Sequence, residues 1–432
     1  MLNTIDYIRD MIYGLDITIK LSNGTEVVAI DLDNAATTPP FKKVIEEIQS
    51  QLLHYGSIGR GKGQKSEYTN EIYIKGRETI KNFLGAGSDA YTVFYTNNTT
   101  DGINKLASAL VESPKDMILI TRMEHHANDL PWRERGRIVY AEVDEMGRLI
   151  VNDIARLLKE HRGKIKYVCV TAASNVTGYV NDIHRIAKLV HKYGAKLIVD
   201  GAQIVSHRAV NMLGGTPEES IDFFAFSAHK MYSPFGGGAV VGLKEVLDKH
   251  IPQFYGGGMV KAVYDETSCY LNAPDSYEAG SPNYPGIVGM LKAMEILQSI
   301  GFGYIKRYER FLMRKVISGL KKTPGVILYG DCQNIEDRVG VIPFNLQGIF
   351  PEEVANYLAD AHGIAVRHAA FCAHPYVCRL TEQFPHDCNP PTGMVRVSFG
   401  VYTSEEDVDN FLRAIAAMLE GYRTDKNYSR IT

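Results

Sequence analysis

The chain lacks several features that would assign it to a specialised class of protein. It has only six cysteines in 432 residues, at positions 169, 269, 332, 372, 378 and 388. They are too sparse for a disulfide framework, so we expect mostly reduced thiols. No run approaches the roughly 20 apolar residues of a membrane helix, and residues 1–20 lack the basic start and apolar core of a secretion signal. These absences predict a soluble, cytoplasmic protein.

The chain also lacks an excess of either charge. Its formal net charge is −3, with 45% hydrophobic and 22% charged residues, which is the composition of an ordinary globular protein. Neither nucleic acid nor an anionic membrane surface is indicated as a partner. The length is sufficient for two or three domains, each with its own core.

Short apolar runs alternate with helical patterns through the middle of the chain. The predicted strands are 117–123, 137–144, 164–173, 195–200, 223–227 and 238–243. Predicted helices cover 100–112, 151–161 and 182–194. This alternation predicts an α/β fold with a mostly parallel sheet. Because GAVVGL (238–243) follows the preceding strand closely, we expect it to be antiparallel.

The pattern changes near residue 286, after the helix-breaking stretch GSPNYPG. Long helices then mix with a few strands, and Thr403 with Glu406 is a candidate capping box for the last helix. We therefore predict a large domain and a smaller C-terminal α+β domain that carries a cysteine loop. The predicted divisions are an N-terminal segment packing with the small domain, a large cofactor-binding domain and the small domain, at 1–25, 26–285 and 286–432.

Two residues at predicted strand ends suggest a cofactor. Lys230 follows FFAFS, and Asp200 ends KLIVD. Taken singly, the lysine is most simply a surface residue and the aspartate a helix cap. Together, at the ligand-binding edge of a parallel sheet, they suit pyridoxal 5′-phosphate (PLP), whose Schiff base needs a lysine and whose pyridine nitrogen needs an acid.

Two further stretches fit the same cofactor. YTNNTTDGIN (95–104) leads from a strand into a helix, where backbone N–H groups and the hydroxyls of Thr99 and Thr100 could bind a phosphate or simply cap the helix. MEHHAND (123–129) follows the next strand. No third ligand stands at metal spacing there, so we interpret its histidine as a ring stacked on the cofactor.

The order of motifs NNTTDGIN, EHHAND, SNVTG, VDGAQ, FSAHK, YEAGSPN and GIAVR resembles the class V aminotransferase-fold PLP enzymes. Within these it is most similar to the group of cysteine desulfurases and selenocysteine lyases. The resemblance extends from LDNAATT (32–38) to VRVSFGVYTSEEDV (395–408). It implies the type I fold of PLP-dependent transferases, a homodimer, and a possible sulfur-acceptor protein as partner.

The resemblance also implies roles for individual residues. Lys230 matches the Schiff-base lysine, and His125 the ring-stacking histidine. Arg367 matches the arginine that binds the substrate α-carboxylate, and Asn175 a residue near substrate and ring hydroxyl. The remaining cofactor positions match the pyridine nitrogen and ring hydroxyl (Asp200, Gln203) and the phosphate (Thr99, Thr100, Ser227, His229 and, from a dimer partner, Ser281).

Cys372 lies five residues after Arg367, where the desulfurases carry their catalytic cysteine. A thiolate there could attack the sulfur of bound cysteine. Relatives often have a histidine immediately before this cysteine, whereas this chain has Phe371. The alternatives are a buried structural cysteine, a resolving pair with Cys378, or a metal site built from the local histidines and cysteines (His368, Cys372, His374, Cys378, His386, Cys388); we expect no metal.

Our leading hypothesis is a PLP-dependent cysteine desulfurase that converts L-cysteine or selenocysteine to alanine and leaves the sulfur on Cys372 as a persulfide. The alternative is a C–S lyase that β-eliminates a cysteine or cystine derivative to pyruvate, ammonia and a thiol or persulfide. An epimerase, an aminotransferase or a binding protein that shares the fold is less favoured. The sequence leaves open the role of the 379–394 loop and of Arg60 near the pocket.

Overall fold

The computed structural model describes residues 2–59, 61–384, 389 and 391–428. Arg60, His386 and Cys388 lie outside this range. The helices are α1 (Leu2–Asp10), α2 (Lys42–Leu52), α3 (Gln64–Phe83), α4 (Thr99–Leu110), α5 (Leu130–Arg133), α6 (Val151–Glu160), α7 (Ile183–His191), α8 (Lys244–Leu247), α9 (Tyr284–Ile300), α10 (Phe302–Lys322), α11 (Pro351–His362), α12 (His374–Thr381) and α13 (Glu405–Tyr428).

The strands form one large sheet, one smaller sheet and short pairs. They are β1 (Thr18–Lys20), β2 (Glu26–Val28), β3 (Ile30–Asp31), β4 (Tyr91–Thr96), β5 (Met117–Thr121), β6 (Arg137–Ala141), β7 (Ile165–Thr171), β8 (Lys196–Asp200), β9 (Phe223–Ser227), β10 (Gly238–Leu243), β11 (Val260–Val263), β12 (Ser268–Tyr270), β13 (Val326–Leu328), β14 (Val341–Leu346), β15 (Ile364–Ala365), β16 (Arg367–Ala369) and β17 (Met394–Ser398).

The large sheet has the order β4-β10-β9-β8-β7-β5-β6 across the described residues. Strands β6, β5, β7, β8 and β9 pair in parallel, whereas β10 is antiparallel to both β9 and β4. The mostly parallel α/β fold is therefore confirmed, including the antiparallel strand at 238–243. Near-continuous apolar strands such as MILIT are buried on both faces, as a parallel sheet covered by helices requires.

Helices cover both faces of the large sheet because side chains alternate along each strand. Phe224 packs into the core with α2, α3, α6, α7 and α9. Phe223, its neighbour, packs on the opposite face with α4 and α8. The parallel strands consequently end at one edge, where the loops that follow them meet.

A second core lies between the β13-β14-β17-β16 sheet and helices α10, α11 and α13. Ile5 of α1 and Leu32 pack into this core, whereas Ile8 and Ile12 pack into the first core. Helix α9 contributes to the first core, although residue 286 is the predicted start of the small domain. The predicted domain boundaries stay predictions.

The candidate capping box at Thr403 and Glu406 is wrong by one residue. The N–H of Asp407 donates to Ser404 Oγ at 3.1 Å, and the N–H of Ser404 donates to the Asp407 carboxylate at 2.7 Å. Thr403 Oγ1 instead accepts from the Gly400 N–H at 2.9 Å, closing the preceding turn. The reciprocal pattern of a capping box is present, with an aspartate in place of glutamate.

No helix among the described residues has both the length and the apolar character needed to cross a membrane.

Candidate active site

A cavity of about 440 Å³ lies at the edge where the parallel strands end. Strands β8 and β9, the start of α4, and the loops after β5 and β7 supply its wall, and residues after β15 close it. It brings together eleven residues predicted from the sequence: Thr99, Thr100, His125, Asn175, Asp200, Gln203, Ser227, His229, Lys230, Arg367 and Cys372. Their individual roles remain predictions, developed below from the geometry.

Lys230 and Asp200 define the floor of this cavity. Burial lowers the pKa of Lys230 to about 8, although the nearby Asp200 opposes this shift. Burial raises the pKa of Asp200, while the Ala202 N–H, which donates to Asp200 Oδ1 at 2.9 Å, and Lys230 lower it. A lysine whose pKa lies near neutrality can act as a nucleophilic amine or a base. The half-buried Lys230 is therefore not an ordinary surface lysine.

The start of α4 and the end of β9 meet through a shared hydroxyl. Ser227 Oγ accepts from the Thr99 N–H at 2.7 Å and lies 2.7 Å from Thr99 Oγ1. Asn98 caps the helix by accepting from the Asp101 N–H at 2.9 Å. Asn98 therefore caps the helix, whereas the hydroxyls of Thr99 and Ser227 line the cavity, and their phosphate-binding role stays a prediction. Such a group of hydroxyls at a helix N-terminus suits an anion.

His125 is uncharged in this setting. Its Nδ1 accepts from the Ala127 N–H at 3.0 Å, which leaves the proton on Nε2. Burial, with Lys230 as a second cause, lowers the pKa of His125 to about 3. Burial and Lys230 likewise lower the pKa of His229 to about 4. A neutral imidazole that lines the cavity can stack on a flat ring without adding positive charge.

Gln203 has an unused hydrogen-bonding atom. Its Nε2 lies 3.3 Å from Nε2 of His207, whereas its Oε1 is buried and has no partner among the described residues. His207 Nδ1 contacts the Glu309 carboxylate, which also accepts from Arg208 at 2.7 Å. A buried polar atom without a partner is costly unless a ligand satisfies it. Gln203 was predicted from the sequence, whereas His207, which contacts it, and Glu309, which holds His207, were not.

The cysteine loop crosses the mouth of the cavity in a constrained conformation. Ala369, Phe371 and Cys372 have positive φ values of 80°, 52° and 55°, a region that residues other than glycine rarely occupy. Hydrogen bonds hold the loop: His126 N–H donates to Cys372 O at 2.7 Å, His374 N–H donates to His126 Nε2 at 3.2 Å, and Asn175 Nδ2 donates to Phe371 O at 2.8 Å. Cys372 is exposed, which is unlike a structural cysteine of the core.

Arg396 is a cavity residue that the sequence argument missed. It is 2% exposed and donates to Asp33 Oδ1 at 2.7 Å and to Asn175 O at 2.9 Å. Its Nε is buried without a partner among the described residues. By contrast, the side chain of Arg367 is 53% exposed and lies 3.6 Å from Asp33 Oδ2. The feature of the sequence that could have indicated Arg396 is its position as the one charged residue in the run VRVSF.

Ser281 does not lie in this cavity. It is exposed and lines a separate cavity of about 860 Å³ with Tyr55, Arg77 and Glu278. Its predicted role, reaching the phosphate of a dimer partner, stays a prediction.

Cys378 and Cys372 lie in different environments. Cys378 is buried on α12, whereas Cys372 is exposed. Within the described residues, no three or more His, Cys, Asp or Glu side chains are arranged to hold a metal ion. His386 and Cys388 of that alternative, with much of the tip of the 379–394 loop, lie outside the described range.

The fold and the cavity define an α/β enzyme of the kind that carries a lysine and an acid at neighbouring strand ends. The model of the family Aminotransferase class-V matches residues 30–411, and the chain belongs to this family. The family is one of PLP-dependent enzymes.

The relatives reported below are all named as cysteine desulfurases or probable cysteine desulfurases. The chain is 35% identical over 398 residues to a "Probable cysteine desulfurase" of Mycolicibacterium paratuberculosis, covering 90% of this chain and 55% of that protein. It is 32% identical to a "Probable cysteine desulfurase" of Halalkalibacterium halodurans, covering 94% and 95% of the two chains. The apo structure of a cysteine desulfurase from Thermococcus onnurineus superposes with a TM-score of 0.82 at 30% identity, covering 91% and 95%. The chain thus spans about half of the Mycolicibacterium protein.

Proposed function

We propose that this protein is a PLP-dependent cysteine desulfurase, which converts L-cysteine, or selenocysteine, to alanine and transfers the sulfur to Cys372. One observation carries the proposal: the exposed Cys372 lines the same cavity as the Lys230–Asp200 pair and Arg396. An amine, an acid, a carboxylate-binding arginine and a thiol are the four groups that this reaction requires.

The cavity fits the cofactor. Its phosphate would be held by the hydroxyls of Thr99, Thr100 and Ser227 and by the imidazole of His229. Asp200 would bind its pyridine nitrogen, and Gln203 would bind its ring oxygen. His125, being neutral, would stack on the ring. The unpartnered Oε1 of Gln203 is the feature of this chain that most needs a ligand. When bound, the cofactor supplies an electron sink for charge that develops at the substrate α-carbon.

Two arginines and Asn175 would bind the substrate carboxylate. Arg396 is fixed by Asp33 and by Asn175 O, and its Nε is free to donate to a further acceptor. Charge-assisted hydrogen bonds of this kind are about twice as strong as neutral ones. Arg367, which is half exposed, would add a second contact to the carboxylate from the mouth of the cavity.

The chain's own residues then divide the chemistry between proton and sulfur transfer. Lys230, whose pKa burial lowers to about 8, would move the α-proton of the substrate. The Cys372 thiolate attacks the substrate sulfur, so that a sulfur–sulfur bond forms and the carbon–sulfur bond breaks. The bonding electron pair stays on carbon, which takes up a proton, and the products are alanine and a Cys372 persulfide.

A sulfur acceptor would reach Cys372 from outside the cofactor cavity. Cys372 also lines an adjoining cavity of about 570 Å³, bordered by His126, Leu130 and Arg135. It shares Thr100, His125 and Ala127 with the first cavity. This second opening would give an acceptor thiol on another protein an approach to Cys372 from the side of His126. We also infer a reducing, cytoplasmic location, because the cysteines that the structure describes are unpaired.

We further propose a homodimer. Tyr55, which is 49% exposed, lines the same cavity as Ser281. The Gly280 N–H, next to Ser281, donates to Gly257 O at 2.7 Å, which brings the segment after the exposed Phe254 and Tyr255 close to it. Exposed aromatic residues of this kind are typical of protein interfaces. A second copy of the chain bound at this surface would lie next to Ser281.

The test is a product assay on the purified protein loaded with cofactor, using cysteine, cystine and selenocysteine. Alanine as the product supports desulfuration, whereas pyruvate indicates the C–S lyase alternative, which needs Lys230 and Asp200 but not Cys372. Replacement of Cys372 by serine is expected to abolish the persulfide and alanine formation while the visible absorption of the bound cofactor remains. Full alanine formation by this variant would exclude the proposed role of Cys372.

A further inference from the structure

Phe371, the residue before Cys372, is held by two groups that also line the substrate region of the cavity. Its carbonyl oxygen accepts from Asn175 Nδ2 at 2.8 Å. Its ring centroid lies 4.8 Å from the guanidinium carbon of Arg396, a cation–π contact. The side chain is 7% exposed and packs with Met123, Val176 and Met394. A buried aromatic ring at a position with φ of 52° is thus fixed from both its backbone and its side chain.

The same two groups are the ones placed to bind a carboxylate. Asn175 and Arg396 are coupled to each other, since Arg396 donates to Asn175 O at 2.9 Å. A carboxylate is a stronger acceptor than a peptide carbonyl, so it competes with Phe371 O for the Asn175 amide. It also draws the guanidinium charge away from the aromatic face.

We propose that Phe371 is a positioning residue that couples occupation of the carboxylate site to the conformation of Cys372. In the described conformation, Asn175 and Arg396 hold Phe371, and the loop keeps Cys372 in its constrained conformation. A bound carboxylate takes over these contacts and releases the loop, so that the thiol can move towards the substrate sulfur. The inference rests on the proposed function, because it takes the ligand to be an amino acid.

In this arrangement Phe371 stabilises the loop conformation as well as filling space. The positive φ values at residues 371 and 372 cost free energy, and the bond to Asn175 together with the ring contact stabilises them. The thiol, although exposed, is therefore restrained in its position on the loop until a ligand with a carboxylate is in place.

The test measures the rate at which iodoacetamide alkylates Cys372 in the cofactor-loaded protein. Mass spectrometry of the Cys372 peptide separates it from the exposed Cys269. L-Alanine supplies a carboxylate without a transferable sulfur, and ethylamine supplies an amine without a carboxylate. In the wild type, L-alanine is expected to raise the alkylation rate about fivefold, the factor equivalent to one hydrogen bond of about 1 kcal/mol. Ethylamine is expected to leave the rate unchanged.

Phe371→Leu keeps an apolar side chain but removes the ring from Arg396. Its alkylation without ligand is expected to be already fast, with little further increase from L-alanine, whereas Phe371→Tyr retains the wild-type response. Phe350→Leu, at a phenylalanine that is 63% exposed, is the matched control. A wild type in which L-alanine slows or does not change alkylation, or an unchanged response in Phe371→Leu, would overturn the inference. Pyruvate instead of alanine in the product assay would refute the proposed function but leave this coupling measurable.

Discussion

Asp200 and Lys230 show how the sheet itself sets the properties of single residues. Both lie at the ends of neighbouring parallel strands, β8 and β9, where burial raises the pKa of the acid and lowers that of the amine. Each charge favours the charged form of the other, so the pair remains ionisable although it is buried. The reactivity of both residues depends on this electrostatic stabilisation of each by the other.

Asp200→Asn is expected to lower kcat by about 100- to 10,000-fold, the range in which a positioned acid or base contributes. The amide has the same shape but cannot carry the charge that would hold a proton on the cofactor's pyridine nitrogen. Visible absorption should show that cofactor is still bound. Asp360→Asn, at an exposed position, controls for loss of a surface charge. An Asp200→Asn enzyme with full kcat would contradict this role.

Arg396→Gln and Arg367→Gln should separate two contributions to substrate binding. Each should raise KM by about 10- to 100-fold, because each loses a charge-assisted contact to the carboxylate. Only Arg396→Gln should also lower the free energy of unfolding, by about 1.5–3 kcal/mol, since it loses the charge-assisted hydrogen bond between Arg396 and Asp33. Equal stability of both variants in urea unfolding would show that the Arg396–Asp33 pair is not a structural contact.

The pH dependence of stability should carry the signature of His125. Its pKa in the folded state is about 3, below the ordinary value of 6.5 for histidine, so only the unfolded chain takes up this proton near pH 5. The free energy of unfolding should therefore fall as the pH drops below about 6.5. Replacement by glutamine removes this contribution, so urea unfolding at pH 7 and pH 5 should show a smaller decrease for the variant. An equal decrease would mean that His125 titrates normally.

At the scale of elements, apolar runs were the most reliable guide. Runs such as MILIT and FFAFS lie on buried strands of the large sheet and have no helical alternative of comparable length. The hairpin of β11 and β12 was not predicted, because its strands are largely exposed and lack a clear apolar alternation. Helix α13 was predicted, yet its cap was placed one residue early because serine and threonine stand side by side in YTSEED.

Ser404→Ala is expected to lower the free energy of unfolding by about 1 kcal/mol, the usual cost of losing a helix cap. Its hydroxyl accepts from the Asp407 N–H at the first turn of α13. Glu406→Gln, at an exposed position, should change stability far less. If the two substitutions had equal effects in a denaturant titration, the assignment of the cap would be wrong.

From the residues alone, the cavity was predicted where residues share one edge of one sheet; Arg367 and Cys372, from a distant segment, came only from the family resemblance. Lys230, Asp200 and His125 follow strands of the large sheet, so strand ends alone place them together. Glu309 and Arg396 come from the segments that form the second core, and their contacts with His207 and Asn175 depend on how the two cores pack. Spacing along the sequence carries no information about such contacts.

At the scale of the whole molecule, the proposed dimer can be tested directly. Light scattering is expected to give about twice the chain mass of 48.1 kDa. Replacing Tyr255 and Tyr264 together by glutamate should halve the measured mass, because buried charges without partners oppose association. Exchange of the exposed Phe350 for glutamate serves as the control. A wild type that is monomeric at micromolar concentration would exclude the dimer.

The antiparallel strand β10 has a consequence for when the site can be completed during synthesis. Among the described residues, β4 pairs in the large sheet only through β10, which the ribosome makes about 140 residues later. Until then, the start of α4 with Thr99 cannot be anchored beside Ser227 and Lys230. Pairing between segments so distant in the chain forms slowly. A nascent chain should therefore capture cofactor only after β10 has emerged, which makes cofactor loading a late step in the biogenesis of the protein.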